Sequence, residues 1–384
     1  MLQPERSMPE VIAEVVALAS GGTWQLVEIV RVEDALRIVV RAPTSAISVD
    51  VKPAATAGRR YREIGPHAFS YRVSTGASLE RSELAQLDRV IDALSTLPLD
   101  ASRDGPKAPA VAPPPLPAVA DVRIGEIERA AGAIGSMSRG ERLGVIVRGF
   151  LSAELVATAT SALGALGGAM PEIRSPMFGG VVYGRPLVAA DAMGEYLADA
   201  SRCRDGLDRL CGRDPSLDER LARVLSILGG GRRARLPTGA DGRPYAPATV
   251  RSLVAGDRIP LHYENETLER PIMSELRDAL DLTTLSSFVV LLARSDAGGA
   301  LRSYAGHFAQ RGDDFIPRSG GDEGARRLLE VDGCTTYDLE PGDLVVFDAG
   351  RYYHEVTTIV GQPRVTLGGF FAPSRDGSEI LFWG

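Results

Sequence analysis

The chain has 384 residues and only four histidines, His67, His262, His307 and His354, so the surroundings of each carry information. His262 sits in IPLHYENE and His354 far downstream in AGRYYHEV. On an extended strand, side chains two residues apart point to the same face. His262 and Glu264 are therefore expected to project together from one strand. A histidine from a distant strand would complete a set of two imidazoles and one carboxylate. Such a set occupies one face of a metal and leaves adjacent positions open, the arrangement used for ferrous iron in oxygenases. Two exchanges stay open at this point. Glu266 shares the expected strand face and could replace Glu264, and His307 in SYAGHFAQRG could replace His354. His307 lacks a PGDLVVF-like strand before it and is expected in a loop near the mouth of the site.

Ten residues after His354 stands Arg364, in GQPRVTLGGFF. A turn at 360–363 followed by an antiparallel return would bring Arg364 back beside the metal. A guanidinium grips a carboxylate with two parallel hydrogen bonds. A dicarboxylate that chelates iron at one end needs such a partner at the other. Arg251, with Tyr245 nearby, lies on the strand before His262, so a pocket-facing and a surface position are both open to it. Ser287 and Tyr304 read as ordinary strand residues, and Trp24 and Trp383 as packing residues. The three cysteines, Cys203, Cys211 and Cys334, lack metal-ligand spacing and read as reduced, incidental thiols.

These residues must be positioned by a fold. The clearest boundary is at 99–121, where PKAPAVAPPPLP has six prolines in twelve positions, a semi-rigid extended spacer. Residues 1–98 read as a small α+β module. PEVIAEVVALA suits a helix; TWQLVEIVRV, ALRIVVRAP, SAISVDVKP and AFSYRVS suit strands; and Leu84, Leu87, Ile91 and Leu94 share one face of a second helix. His67, without partner residues, is expected in a loop. After the spacer, 122–384 reads as helices followed by strands. RGFLSAELVATATSALGAL is a helix with Ser152 at its N-cap, AMGEYLADASRCRDGLDRLCG is a second, and SLDERLARVLSILGG is a third. In the third, Leu217, Leu221, Val224, Leu225 and Leu228 form a core-facing stripe. From about residue 244 short β runs are separated by Gly, Pro and Asp, which predicts sheets packed on each other as in a jelly roll.

Composition narrows the function classes. A net charge of −7, with arginines interspersed among acids, argues against a nucleic-acid footprint. No apolar run is long enough to span a bilayer, and the polar opening MLQPERSMPE is wrong for a secretory signal, so a cytoplasmic location is expected.

From about Arg148 to Gly384 the sequence resembles the iron(II)- and 2-oxoglutarate-dependent dioxygenases with a double-stranded β-helix core. LHYENE resembles the first metal strand, TTLSSFVVLLARSDAGGAL the next strand with its Gly-Gly turn, LEPGDLVVFDAGRYYHEV the approach to the distal histidine, and GQPRVTLGGFF the arginine strand. MFGGVVYGRPL and RPYAPATVRSLVAG look like elements of bacterial amino-acid hydroxylases of this group. The resemblance implies His262, Glu264 and His354 as metal ligands. It implies Arg364, aided by Thr366, as the clamp on the distal carboxylate of 2-oxoglutarate, with Arg251 a further cofactor-binding candidate. It also implies Fe(II), 2-oxoglutarate and O2 as cofactors and hydroxylation as the reaction. Most of the family has Asp where this chain has Glu264, and related halogenases have Gly or Ala there to open a chloride site. Glu264 therefore favours hydroxylation or desaturation over halogenation.

The leading expectation is a hydroxylase of an amino acid, a peptide or carrier-linked substrate, or a natural-product intermediate, with the N-terminal module docking a peptide or carrier protein. The alternatives are a cupin-like metalloenzyme without a cosubstrate, for which Arg364 has no purpose, and a non-catalytic binding module, for which the His/Glu/His set has none.

Overall fold

The computed structural model describes residues 116–384 except 166–168, 175–179, 282–284, 308–315 and 317–321; before residue 116 it describes five strands and single residues of two helical segments. The chain divides into two compact units, Met1–Ala112 and Pro113–Gly384.

In the first unit, β1 (Gln25–Val32), β2 (Ala35–Arg41), β3 (Ala46–Pro53), β4 (Arg62–Ile64) and β5 (His67–Val73) form an antiparallel sheet in the order β1-β2-β3-β5-β4. The expected β runs form strands. His67 opens β5 instead of lying in a loop, and Arg62–Ile64 adds a strand the sequence reading did not include. Leu87, Ile91 and Leu94 are buried, whereas Leu84 and Trp24 lie outside the described residues.

The second unit opens with β6 (Val119–Arg123), α1 (Ala133–Ser138), β7 (Gly144–Arg148) and α2 (Ala153–Ala162). It continues through β8 (Glu172–Ile173), β9 (Val181–Tyr183), α3 (Met193–Cys211), α4 (Leu217–Leu228) and β10 (Arg233–Arg235). Helices first and strands afterwards is therefore too simple. β6 and β7 precede the long helices and join the main sheet, β7 pairing with a late strand. Ser152 caps α2 as expected, accepting from the Leu155 amide at 3.3 Å. Ser216 and Glu219 cap α4 reciprocally. All five apolar residues of the α4 stripe are buried.

The remaining elements hold the site: β11 (Thr249–Leu253), β12 (Ile259–His262), α5 (Ser274–Ala279), β13 (Ser286–Ala293), β14 (Ala297–Gly298), β15 (Leu301–His307), α6 (Asp322–Asp332), β16 (Cys334–Tyr337), β17 (Leu344–Phe347), β18 (Tyr352–Val356), β19 (Ile359–Val360), β20 (Arg364–Pro373) and β21 (Glu379–Trp383). Eight of them pass back and forth between two layers in the winding of a jelly roll, only β15 and β16 following one another within the same layer. β17-β13-β20-β11 lies within the ten-stranded sheet and β12-β18-β15-β16 forms the four-stranded one.

Strand alternation, interrupted by a register shift between Ile259 and His262 of β12, sorts their side chains into three cores. On the outer face of the long sheet, Phe288, Val290, Val346, Leu367 and Phe371 pack with Leu207, Leu221 and Leu225 of α3 and α4. Each such fully buried side chain contributes about 1.5–3 kcal/mol. Between the sheets, Leu253, Leu291, Val345 and Phe347 meet Ile259, Leu301, Tyr337 and Val356. On the outer face of the short sheet, Leu261, Tyr263, Tyr304 and Tyr353 pack with Ala325 and Leu329 of α6. Residues of β11, β13, β18 and β20 that skip the first and third cores must point between the sheets.

The Gly298-Gly299 turn is tight enough to demand glycine. Both residues have φ of +65°, and a Cβ on Gly298 would sit 1.9 Å from the Thr358 carbonyl oxygen. We expect Gly298→Ala to cost about 2 kcal/mol or more, from the unfavourable backbone and the clash together, read as a lowered urea midpoint.

Candidate active site

β12 and β18 run antiparallel with His262 directly opposite His354, and the two rings lie 4.1 Å apart at 50°. Each imidazole is held by its own strand. Nδ1 of His262 donates to the Pro260 carbonyl at 2.7 Å, and Nδ1 of His354 to the Tyr352 carbonyl at 3.1 Å. A carbonyl only accepts, so Nδ1 carries the proton and Nε2 presents its lone pair. The Phe347 ring meets the His354 ring edge-on at 5.2 Å.

Glu264 is not on the strand, as the sequence reading had it. β12 ends at His262, Tyr263 stays extended (φ −141°, ψ 149°), and Glu264 opens a 3-10 helix, Glu264–Glu269. The extended Tyr263 preserves the two-residue relation, so Glu264 still follows His262 into the interior. Its amide donates to the Ala349 carbonyl at 2.9 Å and its carbonyl accepts from Thr267 Oγ1 at 2.8 Å, which fixes the backbone from both sides. Strand alternation does not reach Glu266, which lies within the 3-10 helix, and its side chain is outside the described residues. The next residue, Asn265, presses on Gly350, where a Cβ would stand 2.4 Å from Asn265 Oδ1.

Glu264 Oε1 lies 3.7 Å from His262 Nε2 and 3.6 Å from His354 Nε2. Ligand atoms of the three residues all fall within 4.8 Å of one another. Burial holds the His354 imidazole below its ordinary range, which favours the neutral ring. Burial alone would raise the Glu264 carboxyl, but the two imidazoles beside it hold it well below the usual carboxylate range. In the metal-free site that depression needs a proton on Nε2 between ring and carboxylate, and a cation held by all three groups takes the place of that proton. Three converging acceptors suit a cation, and the donor set suits divalent iron.

Arg251 and Arg364 also point between the sheets. Arg251 lies opposite Thr366 on β20, and the Glu264 carboxylate favours its charge against a burial that opposes it. It therefore faces the site and not the surface. Arg364 opens β20, only 5% exposed, and its guanidinium is pushed down to about 10 by burial and then by Arg251. Among the described residues no hydrogen bond or ion pair reaches it. Its route differs from the expectation: β18 belongs to the short sheet and β20 to the long one, so Arg364 does not return alongside His354 but reaches the interior from the facing layer. Thr366 is buried and shares its face.

A cavity is lined by Arg364 together with Leu291, Arg294, Gly299, Leu301 and Tyr337; His262, Glu264 and His354 are not among its lining residues. Tyr337 was not singled out in the sequence. Its hydroxyl shares a hydrogen bond of 3.0 Å with Ser303, and burial raises its pKa so that it stays protonated. The parity of CTTY before the PGD turn was the one available signal for its inward position.

Other expectations resolve as follows. Ser287 faces inward between Phe347 and Phe370, its hydroxyl buried without a partner. Tyr304 faces the opposite way, donating to Glu355 at 2.7 Å. His307 ends β15 opposite Tyr352 and is not in a loop; its side chain lies outside the described residues. Tyr245 packs edge-on against Tyr196 at 5.2 Å, and Trp383 is fully buried. Cys203 and Cys211 are buried free thiols and Cys334 is exposed.

The sequence profile of the carrier-protein-independent halogenase WelO5 matches residues 118–384. The chain belongs to that family. It is thus an enzyme family dependent on Fe(II) and 2-oxoglutarate. No curated protein matches the chain. Similar solved structures include an N-substituted L-amino acid dioxygenase from Burkholderia ambifaria AMMD, at 16% identity over 67% of this chain and 92% of that one, TM-score 0.42. A 2OG-Fe(II) oxygenase family oxidoreductase from Burkholderia pseudomallei has 16% identity over 67% and 94%, TM-score 0.38. A Pseudomonas putida prolyl-4-hydroxylase has 18% identity over 64% and 98%, TM-score 0.31. Among the described residues, no helix is long and apolar enough to cross a membrane.

Among the described residues, two guanidiniums share this interior with one carboxylate, an excess of buried positive charge in the ligand-free site. Arg364→Met is therefore expected to stabilise the ligand-free protein by about 1 kcal/mol or more, read as a raised thermal midpoint.

Proposed function

We propose that this chain is an Fe(II)- and 2-oxoglutarate-dependent hydroxylase, built on a double-stranded β-helix, within a family named for a halogenase. The observation that carries the reading is Glu264 Oε1 at 3.6–3.7 Å from both imidazole Nε2 atoms. Halogenation needs a coordination position left open for chloride, and here a carboxylate points into it.

In this reading His262, Glu264 and His354 hold the metal. Arg364 binds the distal carboxylate of 2-oxoglutarate, with Tyr337 and Thr366 beside it. Arg251 supplies a second positive charge between that clamp and Glu264. Iron with 2-oxoglutarate and O2 supplies the oxidising power, releasing succinate and carbon dioxide. The residues supply position and exclusion of water: Phe347 shields His354, and Leu291 and Leu301 wall the cosubstrate chamber.

The substrate class we favour is a small free molecule, an amino acid, peptide or natural-product intermediate. The matched family is named for carrier independence, so the carrier-linked substrate and the carrier-docking role of the N-terminal unit are set aside. Docking of a peptide by residues 1–112 remains a reading to test. Its deletion should leave 2-oxoglutarate turnover intact and weaken use of the substrate; equal hydroxylation by the truncated protein would end the docking idea.

His354→Ala should abolish Fe(II)-dependent succinate formation, while His307→Ala should retain it. With free and N-acylated amino acids as probes in chloride buffer, mass spectrometry should find products heavier by one oxygen and none carrying chlorine. A chlorinated product from the unaltered chain would overturn the hydroxylase assignment.

A further inference from the structure

Behind the sheet that carries both histidines lies a second charged cluster with no part in the site so far. Glu355 follows His354 on β18 and, by alternation, points to the opposite face. It is 1% exposed. One of its oxygens accepts from Tyr304 of β15 at 2.7 Å and the other from Arg326 Nε of α6 at 3.0 Å. Both oxygens being held, the plane of the carboxylate is fixed, and with it the rotation and slide of β18.

Helix α6 is tied by charge to every strand of the metal-bearing half of that sheet. Asp322 reaches Arg258, just before β12, at 3.1 Å; Arg326 reaches Glu355 on β18; Glu330 reaches Arg302 on β15 at 3.7 Å. The three ties are unequal. The first and last are partly exposed, at 40% and 21% and at 34% and 44%, and solvent screens them. The Arg326–Glu355 pair, at 19% and 1%, lies in a much lower dielectric. Burying a carboxylate is costly, and an apolar residue would fill this core at lower cost. Pure stability does not account for it. Orientation does: the same strand carries His354 and the Tyr352 carbonyl that holds the His354 ring, and metal ligands tolerate errors of only about 0.2 Å.

We infer that Glu355 is a positioning residue, gripped by Tyr304 and Arg326, that holds β18 from behind and so sets the metal affinity of the site in front. The inference rests on His262, Glu264 and His354 being metal ligands. Tyr304→Phe removes a single hydroxyl and Arg326→Gln removes the charge. Asp322→Asn and Glu330→Gln cut the two screened ties and serve as comparators. The probe is Co(II) alone, titrated into full-length protein and followed by its ligand-field absorption, beside the thermal midpoint of the metal-free protein. Tyr304→Phe and Arg326→Gln should bind Co(II) about tenfold more weakly with shifted bands, and the comparators should match the unaltered chain within about twofold. A Tyr304→Phe protein with unaltered Co(II) affinity and bands would overturn the inference, even with a lowered midpoint, since that is the mark of a merely structural cluster. Should Arg326→Gln fail to fold, Tyr304→Phe still decides. Failure of the unaltered chain to bind Co(II) is a separate result: it would remove the metal-site reading and this inference with it.

Discussion

The site depends on one strand pairing, β12 against β18, that sets His262 opposite His354. A slip of one residue would turn an imidazole out of the interior, because side chains alternate with period two. Only four residues form β12, so backbone bonding alone gives little hold. The register is set by side chains and by the strand ends. Leu261, Tyr263 and Tyr353 bury themselves under α6, while Ile259 and Val356 bury themselves between the sheets. At one end the Gly256 amide donates to the Ile359 carbonyl and the Ile359 amide to the Asp257 carbonyl; at the other the Glu264 amide donates to the Ala349 carbonyl. A polar site is thus specified by apolar faces on both sides of the strand that carries it.

The interior carries a charge imbalance that packing alone would not select. Glu264 faces Arg251, and among the described residues no acid faces Arg364. A divalent cation at the His/Glu/His end adds two positive charges, so the loaded interior is more positive still. An anionic ligand offsets the added charge, and a dicarboxylate cancels the two charges of the cation while meeting both ends at once. Metal and cosubstrate are coupled through this balance: each lowers the electrostatic cost of holding the other.

The histidines were legible because there are only four and because their neighbours show strand alternation. The helix α4 was legible from its five-residue apolar stripe, while its reciprocal cap by Ser216 and Glu219 was seen only in the structure. What stayed hidden was the partnering of strands. The ten residues from His354 to Arg364 read as a turn with an antiparallel return, whereas the chain passes through the short β19, paired with β14, and crosses from one sheet to the other. The early strands β6 and β7 were hidden for a similar reason. β6 sits against the proline-rich spacer, and β7, GVIVR, runs directly into the segment that reads as helix. Tyr337 and Ser287 became meaningful only once the layers showed which parity faces inward.

Membership of a family named for halogenation and possession of Glu264 do not conflict physically. The backbone at 264 is held by Ala349 and Thr267 through its own amide and carbonyl, and the neighbouring turn by the fit of Asn265 against Gly350. None of those contacts uses the Glu264 side chain. A residue with no side chain could stand there with the same strand ends, the same histidine pair and the same arginine clamp, leaving a vacant coordination position. The scaffold is therefore indifferent to the choice, which on the function proposed above sets the atom transferred. The cofactor set is a property of the family, whereas the proposed reaction rests on this one side chain.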